Sequence, residues 1–164
     1  MNRKLIRFFL ILASSGSLAA AGHAGASAHG GIDDFNRALI QATTHMDNAA
    51  TLALWEDDGI DLLPQTKPIV GKKAIAKFLD DVTKDLAGAR MEKFDLKCFD
   101  IETTHDWATE WCQEHQHVFL PAGRPPFDGW GTLLLVLHRG VDGKWRLQRE
   151  MWNEALPGDR HDEK

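Results

Sequence analysis

The sequence predicts an α+β fold in which helices come first and an antiparallel sheet follows. Three patterns in the 164-residue chain support this prediction. Apolar residues recur every three or four positions as far as residue 86, which is typical of amphipathic helices. From residue 91 onward they alternate at period two, which is typical of strands. The segment 131–153 then holds two strand-like runs around Val-Asp-Gly-Lys, and Asp-Gly is a strong hairpin signal because both residues tolerate positive φ.

The first predicted helix begins at Ile32 with an acidic first turn, Asp33 and Asp34, where the helix dipole favours negative charge. Its apolar stripe consists of Ile32, Phe35, Leu39, Ile40 and Met46. Asp47 is placed to cap a second, shorter helix. We expect that helix to run through Trp55 and to end within the sequence Glu-Asp-Asp-Gly.

A short strand at 60–63 is expected next, stopped by Pro64, and a turn-rich crossing at 65–71 follows. The third helix then has the cleanest periodic stripe in the chain: Ile75, Phe78, Leu79, Val82 and Leu86. Gly88 is placed to terminate it.

Four longer strands are predicted at 91–103, 107–120, 132–139 and 144–153. The proline-rich segment 121–128 is the longest predicted loop. No internal repeat or domain boundary interrupts the pattern, so residues 29–156 are assigned to one domain and the charged tail 157–164 is predicted to be disordered. We expect a curved antiparallel sheet wrapped around the N-terminal helices, which gives a cone with an open end.

Residues 1–28 have the pattern of a secretory signal peptide. Basic residues precede an apolar run, and small residues follow it in two plausible cleavage frames, of which we favour the one ending at Ala28. The alternative is a retained membrane anchor, but the apolar run is shorter than the ~20 residues of a span and is broken by serine and glycine. The mature chain is therefore expected to be periplasmic or secreted, with no membrane attachment.

Composition excludes several classes of function. Residues 1–28 hold three basic and no acidic side chains, so the remainder carries 16 basic against 24 acidic residues, a net charge of −8. That balance argues against a nucleic-acid or anionic-membrane surface. The chain has no tyrosine and, after Ser27, no serine, which removes phenol donors and a serine nucleophile. No glycine-rich phosphate loop is present.

The two cysteines flank a predicted hairpin centred near His105. If the strands on either side pair about that centre, Cys98 and Cys112 lie directly opposite each other. Disulfides persist in exported proteins, so we predict a Cys98–Cys112 bridge. The alternative is two small buried apolar residues.

Five short motifs follow one another in a characteristic order. They occupy residues 54–64, 69–75, 106–108, 142–147 and 151–153. In this order the chain resembles the SnoaL-like and DUF4440 branch of the NTF2-like superfamily, over about residues 32–155. The resemblance implies a cone-shaped α+β barrel, usually a homodimer, with a pocket between sheet and helices. It implies no reaction, because the superfamily includes isomerases, cyclases, dehydratases and non-catalytic binders.

Comparison with ketosteroid isomerase, the best-understood cone, argues against that activity. Such an enzyme needs a carboxylate base and acidic donors at the developing enolate oxygen. A gapless alignment places Leu62 at the base position and Leu135 at the position of the oxyanion acid. The same alignment places Gln148, Glu150 and Trp152 on the face of the last strand that looks into the cone.

Glu150 is the best candidate for an acid or base, because an apolar cone would raise its affinity for a proton. Alternatives are a salt bridge to an arginine, or exposure to water after a one-residue register error. Asp61 is the second candidate, at the expected pocket mouth, although Asp57, Asp58 and Asp61 together also fit a solvated turn.

Aromatic residues are expected to complete the pocket. Trp55 and Trp130 join Gln148, Glu150 and Trp152 as the predicted ligand-binding set, although each tryptophan would also suit the core. Trp107 and Trp111 are expected on the outer sheet face, where a dimer partner would cover them.

A metal site is not assigned. His115 and His117 sit two apart on one strand, but a site needs a third ligand, for which His138 and Glu114 are the only obvious choices. No cofactor is predicted.

Three hypotheses follow. The first is an exported protein that binds a small, largely apolar organic molecule in its cone. The second is a cofactor-free isomerase or lyase-type enzyme that uses Glu150 or Asp61. The third is an association module without a ligand.

Overall fold

A computed structural model describes residues 31–156 of the chain. It contains three helices and one curved six-stranded sheet, which confirms the predicted α+β class. The predicted signal peptide, residues 1–28, and the predicted charged tail, residues 157–164, lie outside the described residues.

The two long helices each bury one apolar face. Helix α1 spans Ile32–His45 and helix α3 spans Lys72–Asp85. Their buried residues include members of both predicted stripes: Ile32, Phe35 and Leu39 in α1, and Ile75, Leu79 and Val82 in α3. The helical period of the sequence therefore identified the packed faces correctly.

Helix α2, Asn48–Ala53, is shorter than predicted. The side chain of Asp47 caps it by accepting a 2.9 Å hydrogen bond from the Ala50 amide, as the sequence indicated. The prediction that the helix runs through Trp55 was wrong, because Trp55 begins a strand and pairs with Leu147. Pairing with a strand near the end of the chain overrides the local helical pattern.

Six strands form the sheet in the order β2-β1-β6-β5-β4-β3. They are β1 (Trp55–Leu62), β2 (Ile69–Val70), β3 (Arg90–Thr103), β4 (Trp107–Phe119), β5 (Phe127–Arg139) and β6 (Trp145–Ala155). Strands β1 and β6 run parallel, and every other neighbouring pair is antiparallel.

Two strand boundaries differ from the sequence prediction. Strand β5 begins at Phe127 instead of residue 132, because Phe127 to Gly131 pair with Val118 to Glu114 of β4. The proline-rich loop is correspondingly shorter. A two-residue strand, β2, lies within the predicted crossing and pairs with Ile60 and Asp61 of β1.

The predicted hairpin joins β5 to β6. Gly143 adopts the left-handed conformation with φ of 76°, and its amide donates to the Gly140 carbonyl at 2.9 Å. Asp142 accepts from the guanidinium of Arg146 at 2.5 Å and from the Lys144 amide at 3.2 Å. These hydrogen bonds, chiefly the one from Arg146, lower the pKa of Asp142 to about 2. Asp142 therefore contributes to the turn through its charge, and Gly143 supplies the positive φ.

The inner face of the sheet packs against the helices. Strict alternation along β4 buries every second residue from Ala108 to Leu120, and alternation along β5 buries Leu133, Leu135 and Leu137. The register between β5 and β6 shifts between Val136 and Leu137. Opposite this shift, the adjacent residues Leu147 and Gln148 are both buried.

The predicted disulfide is confirmed. Cys98 and Cys112 are direct cross-strand partners, their Cα atoms are 4.0 Å apart, and the sulfurs are bonded. Such a bridge fits a protein of an oxidising compartment. Among residues 31–156, no helix has the length and apolar character that crossing a bilayer requires.

Removing the bridge should cost stability. Replacing Cys98 with Ser and the buried Cys112 with Ala is expected to lower the free energy of unfolding by about 2–3 kcal/mol, because the unfolded chain regains loop entropy. Urea denaturation of both proteins measures the difference. As a control, reductant should shift the wild-type midpoint and leave the double variant unchanged. Two reactive thiols in unfolded, unreduced wild-type protein would contradict the bridge.

Candidate functional site

A cavity lies between the first two helices and the inner face of the sheet. The surrounding side chains are Leu39, Thr43, Thr51, Trp55, Phe94, Leu96, Glu114, Gln116, Leu133 and Glu150. The empty space is about 430 Å³ with its solvent-open side included, but only about 30 Å³ can take the centre of a water molecule. That inner space has room for about two waters. Side chains therefore leave little closed space in this cavity.

Glu114 is the hub of a hydrogen-bonded network on the cavity wall. Its Oε1 accepts from the Trp152 indole at 2.5 Å and from the Gln116 amide nitrogen at 2.8 Å. The acceptor Glu114 is 5% exposed and the donor Gln116 is 3% exposed, whereas the second donor, Trp152, is half-buried.

Gly131 makes room for this network. It is the β-strand partner of Glu114, and its backbone φ is not in the positive range. A Cβ atom at this position would overlap Nε1 of Trp152 and lie 2.8 Å from Oε1 of Glu114. The absence of a side chain at Gly131 is therefore what allows the indole to lie across β5 and reach Glu114.

The two predicted acids lie side by side. Asp61 and Glu150 are register partners on the neighbouring parallel strands β1 and β6. They are 1% and 4% exposed, respectively. Glu150 borders the cavity, whereas Asp61 lies one strand further from it. The structure thus brings together two carboxyl groups that the sequence proposed separately.

Two polar atoms on the cavity wall lack a hydrogen-bond partner within residues 31–156. These are Oγ1 of Thr51 and Oε1 of Gln116, and their residues are 1% and 3% exposed. Donation from Gln116 Nε2 to Glu114 fixes the orientation of the amide, so its oxygen is held as an acceptor. Buried polar atoms are satisfied in the great majority of cases. Because both residues border the cavity, these two atoms are its candidate hydrogen-bond partners for a bound molecule.

Of the five predicted ligand-binding residues, Trp55 and Glu150 line the cavity. Trp152 reaches it through its hydrogen bond to Glu114. Gln148 is buried but donates to Asp58 at 3.0 Å instead of facing the cavity.

The expected position of Trp130 needs correction. Its ring stacks on His115 with 4.1 Å between centroids, on the outer face of the sheet. Trp130 precedes Gly131, and successive residues of a strand point to opposite faces. Since Gly131 lies on the inner face beside Trp152, Trp130 points away from the cavity.

The two strand histidines also occupy the outer face. His115 Nε2 lies 2.5 Å from Asp128, and His117 Nδ1 lies 3.1 Å from Glu92. Glu114 points inward between them, so it does not join them on one face.

Sequence reasoning did not select Glu114, Gln116 or Thr51 for the ligand site. A signal for the first two exists in strand β4, where the inward positions alternate from Ala108 through Cys112 to Val118. Once Cys112 is placed on the inner face, Glu114 and Gln116 follow by period two. Thr51 carries no such signal, because a threonine in a short helix is common.

No family model and no curated protein matches the chain. Solved structures do match. A ketosteroid isomerase-like protein from Erwinia carotovora atroseptica has a TM-score of 0.66 at 20% identity, over 77% of this chain and 95% of that one. A proposed dehydratase of the NTF2-like family from Streptomyces avermitilis has a TM-score of 0.64 at 17% identity, over 76% and 94%. A proposed scytalone dehydratase from Novosphingobium aromaticivorans has a TM-score of 0.60 at 16% identity, over 76% and 79%.

These similarities identify the architecture. The chain has the NTF2-like cone fold, as the sequence predicted. At 20% identity or less, the similarities concern the fold alone.

The role of Gly131 can be tested by substitution. Gly131→Ala is expected to lower the free energy of unfolding by about 1–3 kcal/mol, because the new methyl group displaces the Trp152 indole from Glu114. Urea denaturation gives the loss, and a changed tryptophan emission spectrum reports the displaced ring.

A double-mutant cycle with Trp152→Leu supplies the control. In that background the overlapping ring is gone, so Gly131→Ala should cost much less. An equal cost in both backgrounds would show that Gly131 does not act through Trp152.

Proposed function

We propose that this protein is an exported member of the SnoaL-like and DUF4440 branch of the NTF2-like superfamily, and that its cone binds a small, largely apolar organic molecule without a cofactor. The observation that carries this proposal is the pair of unpartnered buried atoms, Thr51 Oγ1 and Gln116 Oε1, on the wall of one cavity. A bound molecule with a hydrogen-bond donor would satisfy them and recover the cost of their burial.

The remaining wall suits an apolar body. Trp55 and Leu133 are buried, and Phe94 and Leu96 form a half-buried side of the cavity on β3. Because the closed space admits only about two waters, a larger ligand would have to enter on the β3 side and displace these half-buried side chains. A mostly apolar lining with a few convergent polar groups is characteristic of small-molecule sites.

Export is supported by two features. The disulfide fits an oxidising compartment. The pattern of residues 1–28 is that of a signal peptide.

Binding can be measured by tryptophan fluorescence of residues 29–164 against a panel of small organic molecules. Because Trp55 lines the cavity, a true ligand is expected to shift or quench the emission. Thr51→Val removes the unpartnered hydroxyl and should weaken binding several-fold, by about 1 kcal/mol for one hydrogen bond. Thr44→Val makes the same change at an exposed position of α1 and should leave binding unchanged. A panel without any response would count against the binding function.

The second candidate is an isomerase or lyase-type enzyme. The adjacency of Asp61 and Glu150 on the inner face favours it, since neighbouring buried carboxyl groups can divide the roles of acid and base. A ligand found in the panel would then exchange a carbon-bound proton for deuterium in heavy water. NMR would detect this exchange, and Glu150→Gln should abolish it without abolishing binding. Binding without exchange would favour the plain binder.

We also propose that the chain forms a homodimer through the outer sheet face. Leu134 and Met151 are cross-strand partners there and are 43% and 41% exposed, and Leu134 also pairs with Trp111 of β4. Trp107, further along β4 opposite His138, is 39% exposed. Contiguous exposed apolar residues of this kind mark association surfaces. If this face carried the only function, the chain would dimerise and the panel would give no ligand, which is the third candidate.

Sedimentation analysis tests the dimer. The wild-type protein should sediment at twice the chain mass, and Leu134→Lys combined with Met151→Lys should convert it to a monomer. Val141→Lys alters a fully exposed residue in the hairpin turn and should preserve the dimer. A wild-type monomer at high protein concentration would rule this interface out.

A further inference from the structure

The buried polar groups of the domain are acidic or neutral. Four carboxyl side chains are buried: Asp61, Glu110, Glu114 and Glu150, each 5% exposed or less. The other buried polar side chains within residues 31–156 are threonines, asparagine and glutamines. In the same range no lysine, arginine or histidine is buried. The buried ionisable groups within residues 31–156 are therefore all carboxyl groups, with no buried basic side chain among them.

These carboxyl groups share the face on which the cavity lies. Glu150 pairs with Leu135, and Leu135 pairs with Glu110, so a row crosses the inner face from Asp61 to Glu110. Glu114 lies on the same face of β4, and both Glu114 and Glu150 border the cavity. A molecule in the cavity would therefore lie next to two carboxyl groups, those of Glu114 and Glu150.

Two of the protein's own donors near the cavity are already used. The Gln116 amide nitrogen and the Trp152 indole both donate to Oε1 of Glu114. Two atoms lack a partner. Gln116 Oε1 is an amide oxygen and can only accept a hydrogen bond, whereas Thr51 Oγ1 is a hydroxyl and can accept or donate one. A molecule that brings a donor can therefore satisfy Gln116 Oε1, which an acceptor alone cannot do.

We propose that the cavity selects small organic amines in their protonated form. This inference rests on the proposed binding function and names its ligand class. The ammonium group offers three donors and a positive charge to Glu150, Glu114 and the acceptor of Gln116. The carbon body of the amine would lie against the apolar wall. The aromatic face of Trp55, which lines the same cavity, also favours a nearby positive charge.

The same geometry disfavours organic acids. A carboxylate ligand would carry negative charge toward Glu114 and Glu150 and would offer no donor to Gln116. Like charges close together in surroundings of low dielectric constant repel strongly. A neutral alcohol has one donor and no charge, so it should be intermediate.

Three probes of nearly equal size separate these cases: benzylamine, benzyl alcohol and benzoate. Calorimetric titration of the wild-type protein at neutral pH, with tryptophan emission as a second readout, gives the three affinities. Benzylamine is expected to bind at least tenfold more tightly than benzyl alcohol, and benzoate is expected to bind most weakly.

Isosteric variants locate the source of the preference. Glu150→Gln and Glu114→Gln should each reduce the benzylamine-to-alcohol affinity ratio about tenfold. Glu102→Gln, at an exposed position of β3, makes the same change outside the cavity and should retain the full ratio. If circular dichroism shows that both cavity variants are unfolded, the relative affinities of the wild-type protein for the three probes test the proposal by themselves.

The outcomes distinguish this inference from the function on which it rests. Benzoate binding as tightly as benzylamine would overturn amine selection and leave the binding function intact. The same conclusion would follow if neutral or acidic members of the broad panel bound and no amine did. A panel in which nothing binds would overturn both.

Discussion

The structure depends on one steric and polar arrangement at the centre of the sheet. Trp152 on β6 crosses Gly131 on β5 and donates to Glu114 on β4, so a single indole ties three strands together on the inner face. Glu114 also orients the Gln116 amide, which leaves an acceptor on the cavity wall. The hydrogen bond from Trp152 to Glu114 passes over residue 131 and leaves no room for a side chain there. The cavity wall therefore depends on Gly131 as well as on Glu114 and Gln116.

The cavity is smaller than the pocket that the resemblance to the NTF2-like superfamily implied. Two long helices and the leucines of β5 occupy most of the interior, so the free space holds only about two waters. What distinguishes the cavity is its chemistry, since buried carboxyl groups and unpartnered acceptors meet an apolar wall. Burying acidic groups in a core lowers the free energy of unfolding, because the groups lose their hydration. Such groups are often retained where they serve a function.

The two faces of the sheet carry different kinds of side chain. The inner face holds the acids and the cavity, whereas the outer face holds stacked aromatic and histidine pairs and exposed apolar residues such as Leu134. His115 and Glu114 are neighbours in sequence, yet they belong to different faces and different chemistry. A combined metal site of the kind that their proximity in sequence allows does not form within the described residues.

Local patterns in the sequence determined the order of elements, the packed faces of α1 and α3, the Asp47 cap, the turn at Gly143 and the pairing of Cys98 with Cys112. These features depend on residues close together in the chain or on one hairpin register. Only the tertiary structure decided that Trp55 starts a strand, that β1 runs parallel to β6, and that Trp130 faces outward. Each of these depends on contacts between segments far apart in sequence, and a period-two pattern with apolar residues on both faces does not specify which face is buried. The cavity arose from the same long-range choice, because seven different elements supply its wall.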